Sequence, residues 1–211
     1  MKNILLIILI SITVLVFHWN DAAAYEFYDG KLVFLAEIEQ ELDIRTKQDS
    51  RSVRYQSFRT KFRPELTAKL IDKPDWNVKF YFNGNYYYDF AQNIDSDFKR
   101  SLEFYAGEHN ARRQKRPQHF DEVVKDLFVA TSYKNFEIRL GKQLVSWGET
   151  ATQRVADLIN PMDWTYFNNN PVWEEYKMGL WMARIFWTPE DMWQDLSFEL
   201  VVIPFEFIPE K

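Results

Sequence analysis

Residues 76–90 read Trp-Asn-Val-Lys-Phe-Tyr-Phe-Asn-Gly-Asn-Tyr-Tyr-Tyr-Asp-Phe, and their period decides the fold. Trp76, Val78, Phe80, Phe82, Gly84, Tyr86, Tyr88 and Phe90 share one face. Asn77, Lys79, Asn83, Asn85 and Asp89 share the other, together with Tyr81 and Tyr87. A side-chain period of two is that of a β-strand. Fifteen residues at about 3.3 Å each reach roughly 50 Å, well beyond the common strand of about five or six residues.

The two segments before it alternate in the same way. From Gly30, Leu32, Phe34, Ala36, Ile38, Leu42 and Ile44 fall on one face, with Gln40 as its only break. Glu37, Glu39, Glu41, Asp43 and Arg45 fall on the other, behind Val33 and Leu35. Residues 47–52 read as a turn. From about Ser57, Phe58, Phe62, Pro64, Leu66, Ala68 and Leu70 lie opposite Arg59, Lys61, Arg63, Glu65 and Lys69. Asp72-Lys73-Pro74-Asp75 is a turn signal. The first segment's polar face is acidic and the second's is basic. An antiparallel register that sets Asp43 against Arg59, Glu41 against Lys61 and Glu39 against Arg63 makes a charge ladder. Opposite charges across a ladder contribute about 0.2–1 kcal/mol each. The ladder is expected on the inner wall of a barrel, where it sets register and keeps the wall wet or selects ions.

Downstream, residues 91–120 are polar and predict a long loop with room for a short helix. Arg112, Arg113, Lys115 and Arg116 bunch there as a candidate anion-binding loop, since arginine forks match phosphate geometry. Solvation alone also accounts for such a cluster. Residues 123–133 and 136–145 predict a hairpin across Lys134-Asn135. An irregular region spans 148–176, and residues 179–188 and 196–203 predict two more strands. The total is seven, with short turns on one side and longer, plug-like insertions on the other.

At the start of the chain, Lys2, the apolar run Ile4–Phe17 and Ala22-Ala23-Ala24 have the three parts of a secretory signal. The run is fourteen residues long, short of the roughly 20 that a membrane-spanning helix needs. Residues 1–24 are therefore expected to be removed before Tyr25, leaving residues 25–211 as one unit in an exported protein.

Aromatic residues make up 18% of the chain, and they favour a pleated, half-buried surface. Cysteine is absent, which excludes disulfides and thiolate metal sites. The net charge of −5 argues against nucleic acid as a partner. In hydrocarbon only helices and closed barrels satisfy every backbone polar group. The expected fold is therefore all-β, an antiparallel transmembrane β-barrel facing outer-membrane lipid. Trp76, Phe90, Trp181 and Trp187 sit near predicted strand ends, where interfacial girdles form. A soluble periplasmic β-sandwich binding carbohydrate or lipid alternates similarly and is the competing reading.

Residues 140–149, Leu-Gly-Lys-Gln-Leu-Val-Ser-Trp-Gly-Glu, resemble the LGRQxVxWGE block of a Gram-negative outer-membrane barrel family catalogued as a domain of unknown function. Residues 157–163, Asp-Leu-Ile-Asn-Pro-Met-Asp, resemble its next block, and Leu180-Trp181-Met182-Ala183 the one after. The matching positions include Gly141, Gln143, Trp147, Gly148, Glu149, Asp157, Asn160, Pro161 and Asp163. The resemblance implies a porin-like barrel that moves hydrophobic or lipid-like molecules, with periplasmic or exporter partners and no catalytic residues. Members run to several hundred residues, so it implies an N-terminal portion only. Seven strands leave two open edges, and bacterial single-chain barrels have an even number from eight upward. Closure is thus expected from a missing C-terminal portion or from an oligomer.

Enzyme chemistry is not expected. After the signal the only histidines are His109 and His119, both in the polar loop, with neither a nucleophile motif nor metal-ligand spacing. Asp157, Asn160 and Asp163 carry the oxygen donors calcium uses, but Asn-Pro and Asp more often start turns. No cofactor is implied.

Overall fold

The computed structural model describes residues 23–46, 53–147, 159–163, 176–189 and 196–204. The predicted signal, except Ala23 and Ala24, lies outside them. Among the described residues there are nine strands: β1 (Ala23–Phe27), β2 (Leu32–Thr46), β3 (Val53–Asp72), β4 (Trp76–Gly84), β5 (Tyr86–Asp89), β6 (Val124–Tyr133), β7 (Phe136–Gln143), β8 (Leu180–Trp187) and β9 (Phe198–Val202). They form one antiparallel sheet in the order β1-β2-β3-β4-β6-β7-β8-β9, with β5 beside β3. β1 and β9 each have a single neighbour, so among the described residues the sheet is open.

The fold is all-β, as its period implies, with four departures in detail. β1 adds a strand that the signal reading left out, and cleavage before Tyr25 would remove its first two residues. Over residues 91–120, where a long loop with room for a short helix is expected, the chain forms most of four helices: α1 (Ala91–Ile94), α2 (Ser96–Ala106), α3 (Glu108–Lys115) and α4 (Phe120–Val123). The Asp95 carboxylate starts α2 by accepting the Asp97 and Phe98 N–H groups at 3.0 and 2.9 Å. Lys99–Glu103 and Arg100–Asp97 pairs line its surface at helical spacing.

The third departure concerns residues 76–90. Beside β3 they behave as one strand, because Glu65↔Asn83 and Phe62↔Tyr86 continue the same register across the gap at Asn85. On the other flank β6 accompanies β4 alone. Its ladder shifts and ends at Gly84↔Val124, and Asn85 N–H bonds the Val123 carbonyl at 2.7 Å. The chain there leaves the sheet for the helices.

The β2–β3 register also differs from the expected one. It sets Glu37 against Arg63, Glu39 against Lys61, Glu41 against Arg59 and Asp43 against Ser57, two residues away from the expected pairing. A slip of two preserves both faces, and either register opposes acids with bases. The apolar face separates them. The observed register puts Gln40 opposite Thr60, joined by a 3.4 Å hydrogen bond. The expected register would have set Gln40 against Phe62 and Leu42 against Thr60.

Burial is inverted relative to a water-soluble sheet. The apolar face is open: Ile38, Leu140 and Leu200 are 54%, 56% and 57% exposed. On the charged face, Lys61 and Asp89 are only 6% and 5% exposed. An aromatic row runs along one end of the apolar face. Trp76, Tyr133, Phe136, Trp187 and Phe198 are successive cross-strand neighbours over five strands, and all are exposed. Phe136 stacks on Trp187 at 6.2 Å and Trp187 on Phe198 at 5.4 Å. Six residues along β8 stands Trp181, roughly 20 Å away at about 3.4 Å per residue.

Candidate functional site

The charged face of β2, β3 and β5 is internally paired. Lys61 Nζ lies 3.7 Å from Glu39 and 3.4 Å from Glu41. Arg63 reaches Glu37 at 3.1 Å and also Glu39. Arg59 turns to Asp89 at 3.7 Å and stands over the Tyr87 ring. Desolvating such charges offsets much of their attraction, so the ladder adds little net stability.

Asp89 is the residue the sequence did not single out here. Ser57 Oγ and the Phe58 N–H donate to it at 3.1 and 3.0 Å, and the Ala91 N–H at 2.8 Å. It fastens β5 to β3 and starts the helical insertion. Tyr87 holds that insertion against the charged face, its hydroxyl donating to the Arg113 carbonyl at 2.5 Å.

The four basic residues of the predicted anion loop separate in the structure. Arg112 is exposed and pairs with Glu108 at 3.9 Å. Lys115 donates to Asn93 at 2.6 Å beside the Tyr88 ring. Arg116 is an exposed helix cap. Arg113 is 8% exposed and ion-paired to Glu122 at 2.6 Å and to Asp163. It is a buried latch between the insertion and the 159–163 segment. His109 is on α3 and His119 caps α4, both exposed.

The residues at the resemblance positions act mainly on backbone. Asn160 accepts the Val145 N–H at 2.6 Å and donates to the Gln143 and Met178 carbonyls at 3.1 and 2.9 Å. The Pro161 carbonyl accepts the Met178 N–H at 2.9 Å, and the Asp163 N–H donates to the Tyr176 carbonyl at 2.7 Å. Together they splice the end of β7 to the start of β8. Gln143, 1% exposed, donates to the Met182 carbonyl at 3.2 Å. Trp147 donates to Glu199 at 2.9 Å. Gly141 has φ of +140°, and a Cβ there would lie 2.2 Å from the Leu127 carbonyl oxygen, so only glycine fits. Gly148, Glu149 and Asp157 lie outside the described residues. The Asn160 oxygen accepts the Val145 N–H and Asp163 accepts from Arg113, so the two described donors of the calcium reading are engaged.

Lys142 is fully buried and donates to the Asp121 carboxylate at 2.8 Å and its carbonyl at 3.1 Å. The signal for it was present: Lys142 continues the apolar parity of Phe136, Ile138 and Leu140.

A family model described as protein of unknown function (DUF1302) matches residues 30–206, and the chain belongs to that family. No curated protein and no solved structure matches it.

Proposed function

We propose, with that membership as the premise, that this chain forms part of the wall of a porin-like outer-membrane barrel passing a hydrophobic or lipid-like molecule. The inverted sheet carries the reading. An apolar face left in water is unfavourable by roughly 25 cal/mol per Å², whereas lipid removes that penalty. A periplasmic sandwich would bury this face against a second sheet, yet Ile38, Leu140 and Leu200 stay exposed. Among the described residues no helix is long and apolar enough to cross a membrane. A tilted strand needs only about 9–11 residues, the scale of β6 with its ten. The aromatic row from Trp76 to Phe198 suits an interface girdle.

In this reading the leader at residues 1–24 directs export and the charged face becomes the inner wall. The helical insertion narrows the passage at its long-loop end. β1 and β9 gain neighbours from further strands, of a longer chain or of other copies, because lipid does not tolerate unpaired edges. Periplasmic or inner-membrane exporter components are the expected partners. Fractionated envelopes test the proposal. The chain is expected in the outer membrane after carbonate washing, released only by detergent; recovery in the carbonate supernatant would contradict it.

A further inference from the structure

A transverse row of four cations crosses the charged face away from the ladder. The registers place Lys69 opposite Lys79, Lys79 opposite Ala130, Ala130 opposite Arg139, and Arg139 opposite Arg184. Lys69–Lys79 and Arg139–Arg184 are therefore like-charge pairs directly across the sheet, an arrangement that is destabilising in the absence of a counter-charge. Among the described residues neither lysine makes an ion pair.

The two arginines are held in place. Their guanidinium carbons stand 4.8 and 4.9 Å from the Phe186 ring centre. Each bonds one carboxylate through Nε: Arg139 to Glu137, and Arg184 to Glu199 at 2.7 Å. An arginine has five N–H donors, so both retain terminal amino groups for a further acceptor. Beside the row lies a cavity of about 430 Å³ lined by Lys79, Arg139 and Arg184, with Asn77 and Ser132 as uncharged polar groups. Ala130 leaves space in the middle of the row. The Tyr81 and Phe128 rings, 5.1 Å apart, supply an apolar wall. Asp126 and Glu137 also line it and Glu199 pairs with Arg184, so the site suits one small oxyanion rather than a polyanion.

We propose that Lys79, Arg139 and Arg184 form an oxyanion-binding site for a phosphate or carboxylate group, with Lys69 at its edge. This rests on the transport reading and narrows its cargo to molecules bearing such a group. The full chain in neutral maltoside micelles is titrated calorimetrically with inorganic phosphate and with hexyl phosphate, at matched ionic strength in chloride. Binding of either probe is expected, weakened roughly tenfold by Lys79→Gln or Arg184→Gln, the scale of one charge-assisted contact. Lys134→Gln, the same charge change in an exposed turn, is expected to leave it unaltered. Equal affinities for the two probes identify a free oxyanion as the ligand, and tighter hexyl phosphate identifies an amphiphile head. Binding of neither probe, or equal binding by the Lys79 and Lys134 variants, overturns the site. A rise in the unfolding midpoint with phosphate over chloride, lost in Lys79→Gln, gives an independent readout. Outer-membrane retention without binding sinks the site alone, whereas binding by a protein that carbonate washes off sinks the membrane reading instead.

Discussion

One face of the sheet carries two kinds of charged row. Across β2 and β3, Glu39 faces Lys61 and Glu37 faces Arg63, and each cation is neutralised by its neighbours. Across β3 to β8, Lys69 faces Lys79 and Arg139 faces Arg184. The first row is complete in itself. The second is not, since its arginines each hold a carboxylate but neither Lys69 nor Lys79 makes an ion pair among the described residues, and an incomplete row is the one that a ligand improves. Charge pattern alone points to the wrong row, because acid opposite base is more conspicuous in a sequence than lysine opposite lysine.

The largest effect belongs to Arg113, a buried cation whose two carboxylate partners are buried as well. Arg113→Met strands Glu122 and Asp163, side chains that are 6% and 5% exposed. Removing one partner of such a cluster costs about 3–5 kcal/mol, read as a lower denaturation midpoint in micelles at neutral pH. An unchanged midpoint would mean that the latch holds nothing. Lys61→Met is expected to cost about 2 kcal/mol, because Glu41 loses its pair with Lys61 and Glu39 keeps Arg63. Lys79→Gln is expected to shift stability by less than about 0.5 kcal/mol, or to raise it, by relieving a like-charge pair. A loss at Lys79 as large as that at Lys61 would erase the distinction between the rows. The smallest effect tests register. Gln40→Leu and Thr60→Val are expected to couple by roughly 0.5–1 kcal/mol in a double-mutant cycle. Zero coupling would favour the register two residues away.

The strands were legible because period two repeats through residues 32–44 and 57–70 with one polar break in each. Register was not legible from charge, which repeats every two residues; the lone polar interruptions of the apolar face, Gln40 and Thr60, held that information. The helices at 91–115 read as loop because apolar periodicity is weak there, although the Asp95 cap and the Lys99–Glu103 spacing were visible. Asn160 and Asp163 stood out as motif residues. Their work could not be read locally, because Val145, Met178 and Arg113 reach them from distant parts of the chain. The cation row was invisible until four registers were known together.

The central claim is that the apolar face meets lipid and the charged face meets water. Single cysteines at Glu137, Ile138, Arg139 and Leu140, introduced into a chain that has none, test it in intact outer membranes. Labelling by a membrane-impermeant maleimide should alternate, strong at 137 and 139 and weak at 138 and 140, while a lipid-borne quencher of attached fluorophores should show the opposite pattern. Equal aqueous labelling at Ile138 and Arg139, with no quenching from lipid at either, would contradict the account.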